Sequence, residues 1–142
     1  MVIVIKSVRE AACPEDGARV LVERQRPRGR TRDALELRAW LAAVAPSEEL
    51  RHWFDERPRH WFAFQRRYLA ELCTEEACAA LSMLHSMAEN EPTLTLLTRT
   101  SEQERTHGAI LRDLLQGVRK PPSSSGPARQ VSGGRASARR KP

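Results

Sequence analysis

The residues of this chain best suited to chemistry are arginines. Arg24, Arg26, Arg28, Arg30 and Arg32 alternate along one short stretch, interrupted by Pro27 and Gly29. A guanidinium group presents a planar fork of donors that holds phosphate or carboxylate bidentately. Proline stiffens such a loop, and glycine lets a ligand approach the backbone closely. The series follows the apolar run Arg19-Val20-Leu21-Val22, and open α/β sheets bind ligands beyond the carboxyl ends of their strands. Arg24, Arg28 and Gly29 are therefore candidates for binding a phosphate, a nucleotide or a nucleic-acid backbone. The competing reading is a solvated charged loop, because the chain carries 21 Arg against 3 Lys.

A second place for chemistry is Arg99-Thr100-Ser101-Glu102, between an apolar run and a helical pattern. A helix N-terminus exposes unpaired N–H groups and a partial positive charge. His107 shares a face with Ile110, Leu111 and Leu114. With Glu102 it forms a candidate acid/base pair. The same two residues also read as a partly buried histidine and a first-turn acid complementing the helix dipole. Cys13, Cys73 and Cys78 are odd in number and lack CxxC spacing, so neither a disulfide framework nor a zinc ribbon is expected. No Walker A, HExxH, GxSxG or GxGxxG pattern occurs, and the sequence calls for no metal or cofactor.

These residues need elements to hold them. Val2-Ile3-Val4-Ile5, Arg19 to Val22 and Thr93 to Thr98 read as three strands. Their apolarity is continuous rather than alternating, which suits a parallel sheet covered on both faces. Between the second and third strands the pattern is helical. Leu37, Trp40, Leu41 and Val44 fall on one stripe, stopped by Ala45-Pro46. Ser47 caps the next helix, which carries Leu50, Trp53 and Phe54. Pro58 opens a third, with Trp61, Phe64, Tyr68 and Leu72, and Thr74 caps a fourth. Ser101 with Glu104 makes a capping box for the last helix. The expected order is β-β-α-α-α-α-β-α, a small α/β domain with a mainly parallel sheet of about three strands. Helical spacing predicts burial of Trp40, Trp53 and Trp61. Their basic neighbours Arg51, Arg66 and Arg67 leave a base-stacking platform as the alternative.

The formal net charge of +6 is unevenly placed. Residues 119–142 hold seven basic residues and no acid, and removing them leaves 17 basic against 18 acidic. Rich in Pro, Ser and Gly with little to bury, this segment reads as a disordered basic tail behind a domain at 1–118. No apolar run approaches membrane-spanning length and no signal pattern opens the chain, so a cytoplasmic protein without membrane partners is expected.

Several segments fall in a familiar order. They are Asp16-Gly17, Arg19 to Arg24, Pro27-Arg28-Gly29, Trp40-Leu41, Ala45-Pro46-Ser47, Leu50-Arg51 and Trp53-Phe54. Pro58, Trp61, Phe64, Arg67-Tyr68, Glu71-Leu72, Thr95-Leu96-Leu97 and His107 follow. Over roughly residues 5 to 116 the chain resembles the YeaO-like family of bacterial proteins, domain of unknown function 488. The resemblance carries over Arg24, Pro27, Arg28, Gly29, Ser47, Arg51, Trp53 and His107, and implies a site after the second and third strands. It also shows departures. The family's Asp-Arg-Leu-Trp-Pro-Arg-Gly is here Glu23-Arg24-Gln25-Arg26-Pro27-Arg28-Gly29. His-Asp-Pro becomes Glu56-Arg57-Pro58, Tyr-Ala-Ala-x-Asp becomes Thr98 to Glu102, and Asn-His becomes Thr106-His107. Each swap removes a group a site would use, which implies a modified or lost site in this member.

The leading expectation is anion binding, of a phosphate-bearing small molecule or nucleic acid. Arg24 and Arg28 would clamp the anion, with Ser47 and Arg51 beside them. The alternatives are an enzyme of phosphoester or nucleobase chemistry using His107, and a non-catalytic interaction module.

Overall fold

In a computed structural model that describes residues 1–100 and 105–117, the strands are β1 (Val2–Ser7), β2 (Ala18–Leu21), β3 (Ala39–Trp40) and β4 (Thr93–Thr98). They lie in the order β1-β4-β2-β3, and every neighbouring pair is parallel. The helices are α1 (Arg32–Leu35), α2 (Glu48–Glu56), α3 (Trp61–Glu71), α4 (Glu75–Asn90) and α5 (His107–Leu115).

The continuous apolar runs do what double-sided burial requires. Ile3, Val20, Leu94 and Leu96 join the large core built with the helices, to which Phe64, Tyr68, Leu84 and Leu111 contribute. Alternate residues Leu21 and Leu97 form a smaller cluster with Val8 and Leu35. Ser47 and Thr74 cap α2 and α4 as their sequence pattern predicts, accepting hydrogen bonds from the Leu50 and Ala77 N–H groups.

Three local expectations give way. The stripe from Leu37 to Val44 forms no helix. Ala39–Trp40 adds to β2 as a fourth strand, and Ala42–Val44 closes a single 3-10 turn. The Arg38 N–H donates to the Arg19 carbonyl at 2.7 Å and the Leu41 N–H to that of Leu21 at 2.9 Å. A helix this short is marginal without tertiary support, and the open edge of β2 offers the backbone better partners. The order is thus β-β-α-β-α-α-α-β-α. The last helix begins at His107, with Thr106 as its cap, and the expected capping pair Ser101 and Glu104 lies outside the described residues. The tryptophans are less buried than helical spacing predicts: Trp40 is 39% exposed, and Trp53 and Trp61 are half-buried. Trp40 sits on an edge strand, and Arg67 stacks over the Trp53 ring at 4.1 Å. Tyr68 fills the centre of the helical core instead.

A 3-10 turn at Pro14–Asp16 leads into β2 through Gly17. Gly17 has φ +64, and a Cβ there would lie 2.2 Å from the Thr93 carbonyl oxygen. Beside it, buried Asp16 accepts from Lys6 at 3.0 and 3.1 Å and from Arg19 at 2.6 Å. Burial pushes the Asp16 carboxyl pKa up, but hydrogen bonds from Lys6, from the N–H and thiol of Cys13, and from Arg19 outweigh it. They hold the carboxyl well below its usual range. Thr95 Oγ1 donates to the Asp16 carbonyl at 2.7 Å, so this group ties β1, β2 and β4 together.

Glu102 and the basic tail lie outside the described residues. Among the described residues, no helix is long and apolar enough to cross a membrane.

Candidate functional site at the strand ends

Where β2 runs out, the Val22 N–H still donates to the Leu97 carbonyl at 3.1 Å. The next residue, Glu23, is therefore carried into the interior and is buried. Its Oε1 accepts from Arg51 Nη1 of α2 at 2.8 Å, and its Oε2 from the Arg99 N–H just past β4 at 3.0 Å. Its carbonyl accepts from the Trp40 indole N–H at 2.6 Å.

His107, the first residue of α5, is 4% exposed. Its Nε2 lies 2.8 Å from the Val22 carbonyl and 3.7 Å from Glu23 Oε2. A carbonyl only accepts, so Nε2 carries the proton and donates it to Val22. Burial pushes the His107 pKa down; the Glu23 charge and the Val22 carbonyl offset this only in part. The ring is thus neutral at pH 7, with Nδ1 unprotonated. Among the described residues Nδ1 makes no hydrogen bond.

The expected anion ligands separate. Arg24 directs Nε and Nη2 at the Ala45 carbonyl, at 3.2 and 3.0 Å. The Tyr68 hydroxyl donates to the neighbouring Val44 carbonyl. Together they fix the chain entering α2. Ser47 gives its N–H and hydroxyl to the two carboxylate oxygens of Glu71, at 2.8 and 2.6 Å, while capping α2. Gly29 takes φ +75 in a turn closed by the Arg30 N–H on the Pro27 carbonyl at 3.2 Å. That φ is what the third position of a type II turn demands.

Arg28 lines a cavity of about 290 Å³ at the ends of β2 and β4, with Glu23, Gln25, Arg26, Pro27, Glu48 and Arg99. His107 lines another, of about 450 Å³, with Arg51, Phe54, Asp55, Pro58, Phe64, Thr100, Arg105 and Thr106. The Glu23–Arg51 pair stands between, one partner facing each cavity. The structure thus brings together Glu23, Arg51, His107 and the Arg99 backbone. It places Arg28 and His107 in separate cavities, and Arg24 lines neither. Arg26 and Arg99 belong to the two stretches marked in the sequence without a role of their own, and Glu23 was given none. The available signal was an acid at the end of an apolar strand, inside an otherwise basic loop. Among the described residues no cluster of His, Cys, Asp and Glu could hold a metal ion.

The geometry defines a small parallel α/β domain with a buried carboxylate–guanidinium pair at its strand ends. Comparison with known proteins gives the family. The family model described as the Inactive DUF488-N3 subclade matches residues 2–128. The uncharacterized protein YeaO of Escherichia coli is 35% identical over 118 residues, covering 83% of this chain and 100% of that protein. Uncharacterized proteins of Mycobacterium tuberculosis and Mycobacterium bovis are each 37% identical over 113 residues, covering 80% of this chain and 92% of theirs. No solved structure gives a significant match. The chain belongs to the YeaO-like DUF488 family, in the branch described as inactive.

Proposed function

We propose that this protein is a non-catalytic binding module that holds a phosphate-bearing ligand at the carboxyl ends of β2 and β4. The observation that carries this reading is the charge balance of the smaller cavity. Arg26, Arg28 and Arg99 line it, and none of their guanidinium groups is in an ion pair among the described residues. Of the two acids among its described lining residues, Glu23 is already paired with Arg51, leaving Glu48 against three cations. Guanidinium forks in such a crevice favour phosphate oxygens. The description of the family branch as inactive supports a non-catalytic reading. So does the placement of His107, away from the Arg28 cavity and tied to a carbonyl. Arg24 acts on the Ala45 carbonyl, and its part in binding is to position α2.

The test is calorimetric titration of the full-length protein with inorganic pyrophosphate at fixed salt. Arg28→Ala or Arg99→Ala should weaken binding by about ten- to a hundredfold, the cost of a lost charge-assisted contact. Arg30→Ala should change it little. The tail charges are the same in all variants, so a difference between variants arises outside the tail. Equal small losses at all three positions would show a diffuse basic surface instead of a site.

A further inference from the structure

The larger cavity, beside α5, belongs to a different chemistry from the arginine-lined one. We propose that it binds a small planar molecule bearing an O–H or N–H donor at one end and an anionic group at the other. Its volume of about 450 Å³ falls within the usual range for small-molecule sites. One wall is aromatic: the Phe54 and Phe64 rings stack with centroids 4.4 Å apart, and Pro58 extends that wall. Flat rings pack well against such a surface.

The donor requirement comes from His107. Its Nε2–H is committed to the Val22 carbonyl, so the ring offers only Nδ1, an acceptor. The residue is 4% exposed and lines the cavity, and Nδ1 has no partner among the described residues. A buried acceptor left without a hydrogen bond is costly, and a ligand donor would remove that cost. The depressed pKa keeps Nδ1 available as an acceptor at neutral pH.

The anionic requirement comes from Arg105, because Arg51 is already neutralised by Glu23. Arg105 is exposed, lines the cavity and is in no ion pair among the described residues. Arg51 is bonded to Glu23 through Nη1. Among the described lining residues, Asp55 is the one carboxylate. Neither Arg26 nor Arg28 lines this cavity, so the inference stands independently of the anion site proposed above.

Para-hydroxybenzoate has the required ring, donor and carboxylate, and serves as the probe. The full-length protein is titrated by calorimetry, and the imidazole nitrogen resonances are followed by NMR. The expected result is saturable binding that shifts the His107 Nδ1 resonance. Benzoate, without the donor, and para-hydroxybenzyl alcohol, without the anion, should each bind at least about tenfold more weakly, roughly 1.4 kcal/mol. Arg105→Ala should weaken para-hydroxybenzoate about tenfold, the scale of a lost ion-assisted contact. Arg28→Ala should leave it unchanged. Arg105 is exposed, so its variant is expected to fold even if His107→Gln does not. No binding, binding without a His107 shift, or equal losses at Arg105 and Arg28 would each overturn the proposal.

Discussion

Glu23 and Arg51 form a pair of unequal partners. The Glu23 side chain is almost wholly enclosed, whereas that of Arg51 keeps a fifth of its surface in solvent. Arg51→Ala should therefore cost the larger amount, toward the ~3–5 kcal/mol of a broken buried pair, because it strands the enclosed carboxylate. Glu23→Gln should cost less, since the amide still accepts and Arg51 can turn to water. Urea unfolding of the two variants checks the order. Two other buried groups set the acid limit. The His107 pKa lies below its ordinary 6.5, so the unfolded chain takes up that proton first and stability falls as pH drops below 6.5. The Asp16 pKa lies well below its ordinary 3.8, so a second loss begins below 3.8. His107→Gln should flatten the upper limb of a plot of melting temperature against pH and leave the lower limb in place. Residue types were legible in the sequence here, and their partners were not. Arg24 and His107 stand out by chemistry and family pattern, yet each bonds a main-chain carbonyl, of Ala45 and of Val22. Every residue carries a C=O, so nothing in a sequence marks which carbonyl a distant side chain will find.

Turns make the sharpest test among the elements. Gly17 and Gly29 both take positive φ, but only Gly17 is crowded, against the Thr93 carbonyl. Gly29→Ala should cost about 1–2 kcal/mol, the price of the left-handed region for a residue with a Cβ. Gly17→Ala adds overpacking against β4, for a total of about 3–5 kcal/mol. Thermal melts of the two variants measure the difference. The elements themselves were largely readable. Three strands, the caps of α2 and α4, and the apolar stripes of α2 to α5 follow from periodicity and capping chemistry. The two-residue β3 did not. Its stripe fits a helix, and only the exposed edge of β2, more than fifteen residues earlier in the chain, diverts it into the sheet.

At the scale of the whole molecule, charge and topology lead to separate expectations. The apolar pattern stops near residue 118, while seven basic residues follow. Deleting residues 119–142 should leave the melting temperature little changed by calorimetry; a fall of many degrees would make that segment part of the fold. The topology bears on how the chain assembles as it is made. One of the two inner strands, β4, is the last of the four to be synthesised, and the first, β1, pairs only with it. Until Thr98 has been added, β1 has no neighbour among these strands and β2 has only the two residues of β3. Such distant pairings delay folding and leave β-branched segments exposed in the meantime. The Val2–Ile5 segment therefore stays unpaired until Thr93–Thr98 has been made, so the sheet closes in one late, concerted step rather than strand by strand.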